Sequence, residues 1–120
     1  NGATVFESRG TSFLTINSLS SDDLLHLPKI TEIKSIYPNP FNPSTTIQYS
    51  LHKNDRVNIS VYNAKGQKVT TLFFGMQNAG YHQISWHGQD MNQNHVSSGI
   101  YFVKMTSSEK PVTKKILLLK

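Results

Sequence analysis

Residues 45–62 read Thr45-Thr46-Ile47-Gln48-Tyr49-Ser50-Leu51-His52-Lys53-Asn54-Asp55-Arg56-Val57-Asn58-Ile59-Ser60-Val61-Tyr62. Apolar side chains fall at every second position twice, at Ile47, Tyr49 and Leu51 and again at Val57, Ile59 and Val61. Thr46, Gln48 and Ser50 alternate with the first set, Asn58 and Ser60 with the second. Successive side chains of a strand point to opposite faces, so each run buries one face and leaves the other in water.

The same pattern continues on both sides of this stretch. Asn63-Ala64-Lys65-Gly66 reads as a turn with glycine where a positive φ is needed, and Gln67–Phe74 as a strand of weaker alternation that suggests a bulge. After a second turn at Asn78-Ala79-Gly80, His82, Ile84 and Trp86 alternate with Gln83 and Ser85. Gly88–Gly99 reads as a polar loop. Ile100–Thr106 is apolar on both faces apart from Lys104, as a central strand would be, and Thr113–Leu119 forms the last strand. A short strand around Ile36 brings the number to seven. Turn signals recurring about every eight to twelve residues predict an all-β fold, a seven-stranded immunoglobulin-like antiparallel β-sandwich.

Tyr37-Pro38-Asn39-Pro40-Phe41-Asn42-Pro43 divides the chain. Its prolines remove backbone donors and hold the residues before them extended, which excludes helix and central strand and makes a rigid turn. Residues 36–120 are then the sandwich and residues 1–35 an N-terminal, strand-rich extension. In the extension Val5, Phe6, Phe13, Leu14, Ile16 and Leu19 are too apolar to be left in water without cost and are candidates for a donor strand. Ser20-Ser21-Asp22-Asp23 before Leu24-Leu25-His26-Leu27 resembles an N-capped helical turn stopped at Pro28.

The 120 residues suit one domain plus an appendage. With 37% hydrophobic and 16% charged residues, the composition favours half-buried strands over helices. There is no cysteine, so disulfide, zinc-thiolate and thiol chemistry are excluded. The longest apolar run, Ile116–Leu119, is far below the ~20 residues of a membrane-spanning helix, so no membrane span is expected. The opening Asn1-Gly2-Ala3 reads as a processed protein or a fragment. A formal charge of +5 raises the question of a nucleic-acid partner. Lys104, Lys110, Lys114, Lys115 and Lys120 instead follow a strand pattern without an accompanying stacking motif, and read as edge protection or contacts to an acidic surface polymer. Nucleic acid is not an expected partner.

Nothing points to catalysis: no nucleophile elbow, phosphate loop or paired carboxylates occur, so an enzyme is not expected, nor a cofactor. The five histidines lack metal-binding spacing. Asp90, Asn92 and Asn94 mimic the first three ligands of a calcium loop, yet Tyr101 stands where the bidentate glutamate belongs; an Asx-rich turn is the default reading. Tyr81, Trp86 and Tyr101 could stack on a sugar, but Trp86 is in phase with Ile84 and reads as core.

Several stretches together are similar to one known family. Tyr37-Pro38-Asn39-Pro40-Phe41-Asn42-Pro43-Ser44-Thr45-Thr46-Ile47 resembles the opening motif of the C-terminal sorting domains of the bacterial type IX secretion system. Val61–Val69 with Gly66, Ala79-Gly80-Tyr81-His82 leading to Trp86, Val96–Phe102 with Gly99 and Tyr101, and Lys114–Lys120 with Lys115 and Lys120 follow in the family's order. The resemblance implies an immunoglobulin-like sandwich related to the flagellar hook-capping immunoglobulin-like domain. It also implies export to the extracellular space or cell surface of a Gram-negative bacterium, the secretion machinery and surface polysaccharide as partners, and no catalytic residue. Two departures stand out: His87 follows Trp86 where the family commonly has aspartate, and Asn94 lies near a usual glycine.

Two functions are therefore expected side by side. The first is a self-assembling cell-surface filament subunit, joined to neighbouring copies of itself by strand exchange through residues 1–19. The alternative is a sorting and anchoring domain of a larger exported protein. A carbohydrate-binding accessory domain is a third reading.

Overall fold

The computed structural model describes residues 28–120. Seven strands follow one another: β1 Glu32–Tyr37, β2 Thr45–Leu51, β3 Asp55–Asn63, β4 Lys68–Gln77, β5 Gly80–Trp86, β6 Gly99–Thr106 and β7 Val112–Leu118. They form a three-stranded sheet, β1-β2-β5, packed on a four-stranded one, β4-β3-β6-β7, with every strand pairing antiparallel. This is the expected immunoglobulin-like sandwich, with β4 siding with β3 rather than with the β1-β2-β5 sheet. No helix occurs among the described residues. The candidate donor strand and the capped helical turn lie outside them.

The alternating residues meet as expected. Ile47, Tyr49 and Leu51 of β2 face Val57, Ile59 and Val61 of β3, and Tyr101, Val103, Met105, Ile116 and Leu118 complete the core from β6 and β7. Trp86 is buried at the end of β5 and Ile33 in β1. The Tyr49 hydroxyl donates to the Gln77 side chain and so ties β2 to the end of β4 across the sandwich.

Two elements differ from the expectation in extent. β1 starts at Glu32, so it runs across position 36. β4 continues three residues past Phe74, because Asp55, Arg56 and Val57 of β3 hold Gln77, Met76 and Gly75 in register. The suspected irregularity in β4 is present as two register shifts, at Ile59/Ser60 and Val61/Tyr62, and the first turns both Leu72 and Phe73 toward the core.

β7 is an edge strand, and its edge is closed in two ways. Residues 39–41 lie against its second half. In the first half Lys114 occupies a core-phase position opposite Val103 but stays exposed, a charge placed where a further strand would have to dock.

Candidate functional site

The residues of the quoted motifs are scattered in sequence but share one end of the sandwich. β1, β3, β5 and β7 finish there and β2, β4 and β6 begin there, as the pairs Thr45–Trp86, Asn63–Tyr101 and Gly99–Leu118 show. This end therefore carries the Pro38–Ser44 loop, the β3–β4 turn with Gly66, the residue 87–98 loop and Lys120. Ala79-Gly80-Tyr81-His82 is the exception, leading into β5 from the opposite end, where Gly80 pairs with Leu51.

The Pro-rich segment is bound to β7 by four hydrogen bonds. The Phe41 amide donates to the Leu117 carbonyl at 2.9 Å, and the Leu119 amide donates to the Phe41 carbonyl at 3.0 Å. The Asn39 side chain accepts from the Leu117 amide at 3.0 Å and donates to the Lys115 carbonyl at 3.4 Å. Prolines at 38, 40 and 43 offer no amide, and of the three residues between them Asn39 and Phe41 supply these bonds. Beyond β7 the Lys120 amide donates to the Ser98 hydroxyl at 2.9 Å.

Beneath this clamp three rings are packed in series. Phe41 is tilted against Trp86 at 5.4 Å between centroids, and Trp86 meets Tyr101 edge-on at 5.3 Å, geometries favoured by aromatic quadrupoles. Each polar ring atom has a partner: Trp86 Nε1–H donates to the Gln89 carbonyl at 2.9 Å and the Tyr101 hydroxyl to the Ser97 carbonyl at 2.6 Å. Burial pushes the Tyr101 phenol above its usual range. Gly88 lies against the same cluster with φ +69°, where an added Cβ would stand 3.1 Å from the Pro43 carbonyl oxygen. The Thr45 hydroxyl donates to the Pro38 carbonyl at 2.7 Å and fixes the start of the loop.

The other candidate sites take different forms. Asp90 Oδ1 accepts from the amides of Asn92 and Asn94 at 2.9 and 3.0 Å, which builds these three residues into an Asx turn. The left-handed residue of that turn is Gln93, at φ 66°, and not Asn94. His87 reaches the Ser44 hydroxyl at 2.8 Å, joining the 87–98 loop to the Pro-rich loop at the place where aspartate is usual. Trp86 and Tyr101 are core residues and only Tyr81 is exposed, so the three do not make a sugar-stacking platform. Sequence reasoning does not single out Gly88, Ser97 or Ser98, although the two serines lie within the Val96–Phe102 motif; the approach of Gly88 to Pro43 and the acceptor roles of the serines emerge only in the fold.

Residues 35–119 match the family described as the secretion system C-terminal sorting domain. The chain belongs to this family. It is the family that the motifs between Tyr37 and Lys120 resemble, and sorting domains are non-catalytic modules. Among solved structures the chain is similar to dimeric latent PorU from Porphyromonas gingivalis, with a TM-score of 0.64 and 15% identity over 77% of this chain and 9% of PorU. PorZ, described as an essential bacterial surface component of the type IX secretion system of Porphyromonas gingivalis, matches with a TM-score of 0.51 and 19% identity over 72% of this chain and 11% of PorZ. FlgD from P. aeruginosa matches with a TM-score of 0.50 and 25% identity over 62% of this chain and 57% of FlgD. These likenesses establish the fold, and the chain spans only a small part of PorU and PorZ. No curated protein is similar enough in sequence to count as a match. The sorting-domain family supports the sorting reading over the filament reading. The strand exchange proposed for residues 1–19 lies outside the described residues and has no support from these relatives.

Proposed function

We propose that residues 35–119 are the export address of a larger protein, read by type IX secretion machinery and delivered to the surface or exterior of a Gram-negative bacterium. The observation that carries this reading is the family match along the whole sandwich. An address of this kind must fold without help from its cargo and must present a fixed surface. The bonds of the Pro-rich segment to β7 and the three-ring series support this reading, since they hold the motif-bearing end by contacts within residues 35–119.

Removing residues 35–119 from the protein that carries them, in a bacterium with an intact type IX system, tests the reading. The truncated protein is expected in the periplasm and the intact one at the surface. Equal surface display of both would overturn it.

A further inference from the structure

The two sheets present outer faces of different character. On the three-stranded sheet the polar groups pair with one another: Ser35 donates to Gln48 at 3.0 Å, Thr46 and Ser85 hydroxyls lie 3.3 Å apart, and Lys34 Nζ stands 5.0 Å above the Tyr81 ring. The four-stranded sheet differs. Its register sets Lys68, Tyr62, Phe102 and Lys115 in one row across β4, β3, β6 and β7, and Lys104 in the row beside it. Residues directly opposed share a face, and Val61, Val103 and Ile116, their neighbours along the strands, are core, so the row points outward.

Across three strand spacings, about 14 Å, two half-buried rings thus lie between two exposed ammonium groups with a third alongside. The described residues contain four side-chain carboxylates, and none projects from the strands of this face. Glu32 is in β1; Asp90 is in the 87–98 loop; Asp55 accepts from the Ser108 hydroxyl at 2.6 Å at the far end of the sheet; Glu109 meets His52 at 2.7 Å. Asp90 lines a cavity together with Lys68 but accepts from the Asn92 and Asn94 amides, and among the described residues no salt bridge engages Lys68, Lys104 or Lys115.

We propose that this face docks an acidic protein surface of the export apparatus, with carboxylates meeting Lys68, Lys104 and Lys115 around an apolar group that covers Tyr62 and Phe102. The inference rests on the sorting function above. An apolar centre ringed by charge is the arrangement of a protein interface. Bases and sugars stack on rings that stand clear of the surface, and Tyr62 and Phe102 are both half-buried, side by side on paired strands. Four strands by some five residues offer about 300 Å², well under the ~800 Å² per partner of a stable complex. Docking here is consequently weak, fast and salt-sensitive, which suits an address that is read and then released.

The test uses the full 120-residue chain and the triple variants K68E/K104E/K115E and K68Q/K104Q/K115Q. NMR titration with a glutamate-rich peptide containing phenylalanine should shift the amides of Tyr62, Phe102, Lys104 and Lys115, and the charge-reversed chain should bind at least tenfold more weakly. In a type IX-competent host, a reporter fused to the charge-reversed chain should reach the surface at least tenfold less than with the native chain, the glutamine variant falling between. Shifts elsewhere, no shifts, or a response only to polyglucuronate or duplex DNA would overturn the proposal. So would unchanged export of the reversed variant, and if deletion of residues 35–119 still abolished export the sorting function would stand while this face lost its role. Should the reversed variant melt before the native chain at growth temperature, the glutamine variant decides the export comparison.

Discussion

The carboxamide of Asn39 spans the outer edge of β7 at Leu117, accepting the Leu117 amide through Oδ1 at 3.0 Å and reaching the Lys115 carbonyl through Nδ2 at 3.4 Å. A side chain 78 residues away thereby imitates the strand that the edge lacks. Asn39→Ala removes both bonds at an exposed site and is expected to destabilise the domain by about 1 kcal/mol. Hydrogen exchange should locate the effect at the Leu117 amide, with the β3 amides following only the small global change.

Gly88→Ala meets two obstacles at once. Its φ of +69° disfavours any Cβ, and that Cβ would lie 3.1 Å from backbone oxygen of Pro43 rather than from a yielding side chain. A loss of about 1–3 kcal/mol is expected from chemical denaturation. Gly66→Ala, at φ +84° with open space around it, should cost less, about 1–2 kcal/mol.

Trp86→Ala empties the middle of the Phe41–Trp86–Tyr101 series and is expected to cost about 3–5 kcal/mol, enough to unfold a marginal domain. Trp86→Phe, which keeps one aromatic ring in the series but loses the rest of the indole volume and the bond to the Gln89 carbonyl, should remain folded with a lower melting temperature. Thermal melts of the two variants, both lacking the indole N–H, measure what a ring at this position contributes to packing.

Burial raises the phenol pKa of Tyr101 and of Tyr49 above the ordinary value near 10. Above that pH the unfolded chain gives up protons that the folded chain retains. The contribution of these groups is therefore complete below about pH 10 and is lost as pH rises toward the folded pKa values. Tyr101→Phe should flatten the alkaline limb of a stability-against-pH curve.

The acid limb has a separate origin. The Ser108 hydroxyl, with the Ser108 and Arg56 amides, holds the Asp55 carboxyl below its ordinary range. A depressed folded pKa contributes stability above the unfolded value, lost as pH falls through the folded one. Ser108→Ala should move the Asp55 titration, followed by NMR, upward toward an unperturbed aspartate.

The strands were legible because period-two alternation is local: Ile47, Tyr49 and Leu51, or Val57, Ile59 and Val61, declare their face without reference to the rest of the chain. Trp86 as core and Gly66 as a positive-φ turn residue followed from equally local reasoning. What could not be read depends on distant partners. Gly75 looks like a strand terminator, yet Val57 opposite keeps it in the ladder. Asn94 looks like the left-handed residue of its turn, but Asp90 binds the amides of both Asn92 and Asn94 and leaves the unusual φ to Gln93. The pairing of Asn39 and Phe41 with β7 joins the first motif to the last, and no spacing rule connects positions so far apart.

If this sandwich is an export address, it should confer export on a protein that lacks it. A periplasmic reporter fused ahead of the full chain would be expressed in a type IX-competent bacterium and in its secretion-deficient mutant, and its surface fraction measured by protease accessibility. The reporter is expected at the surface of the competent strain and retained in the mutant. A folded fusion that stays in the periplasm of both strains would contradict it.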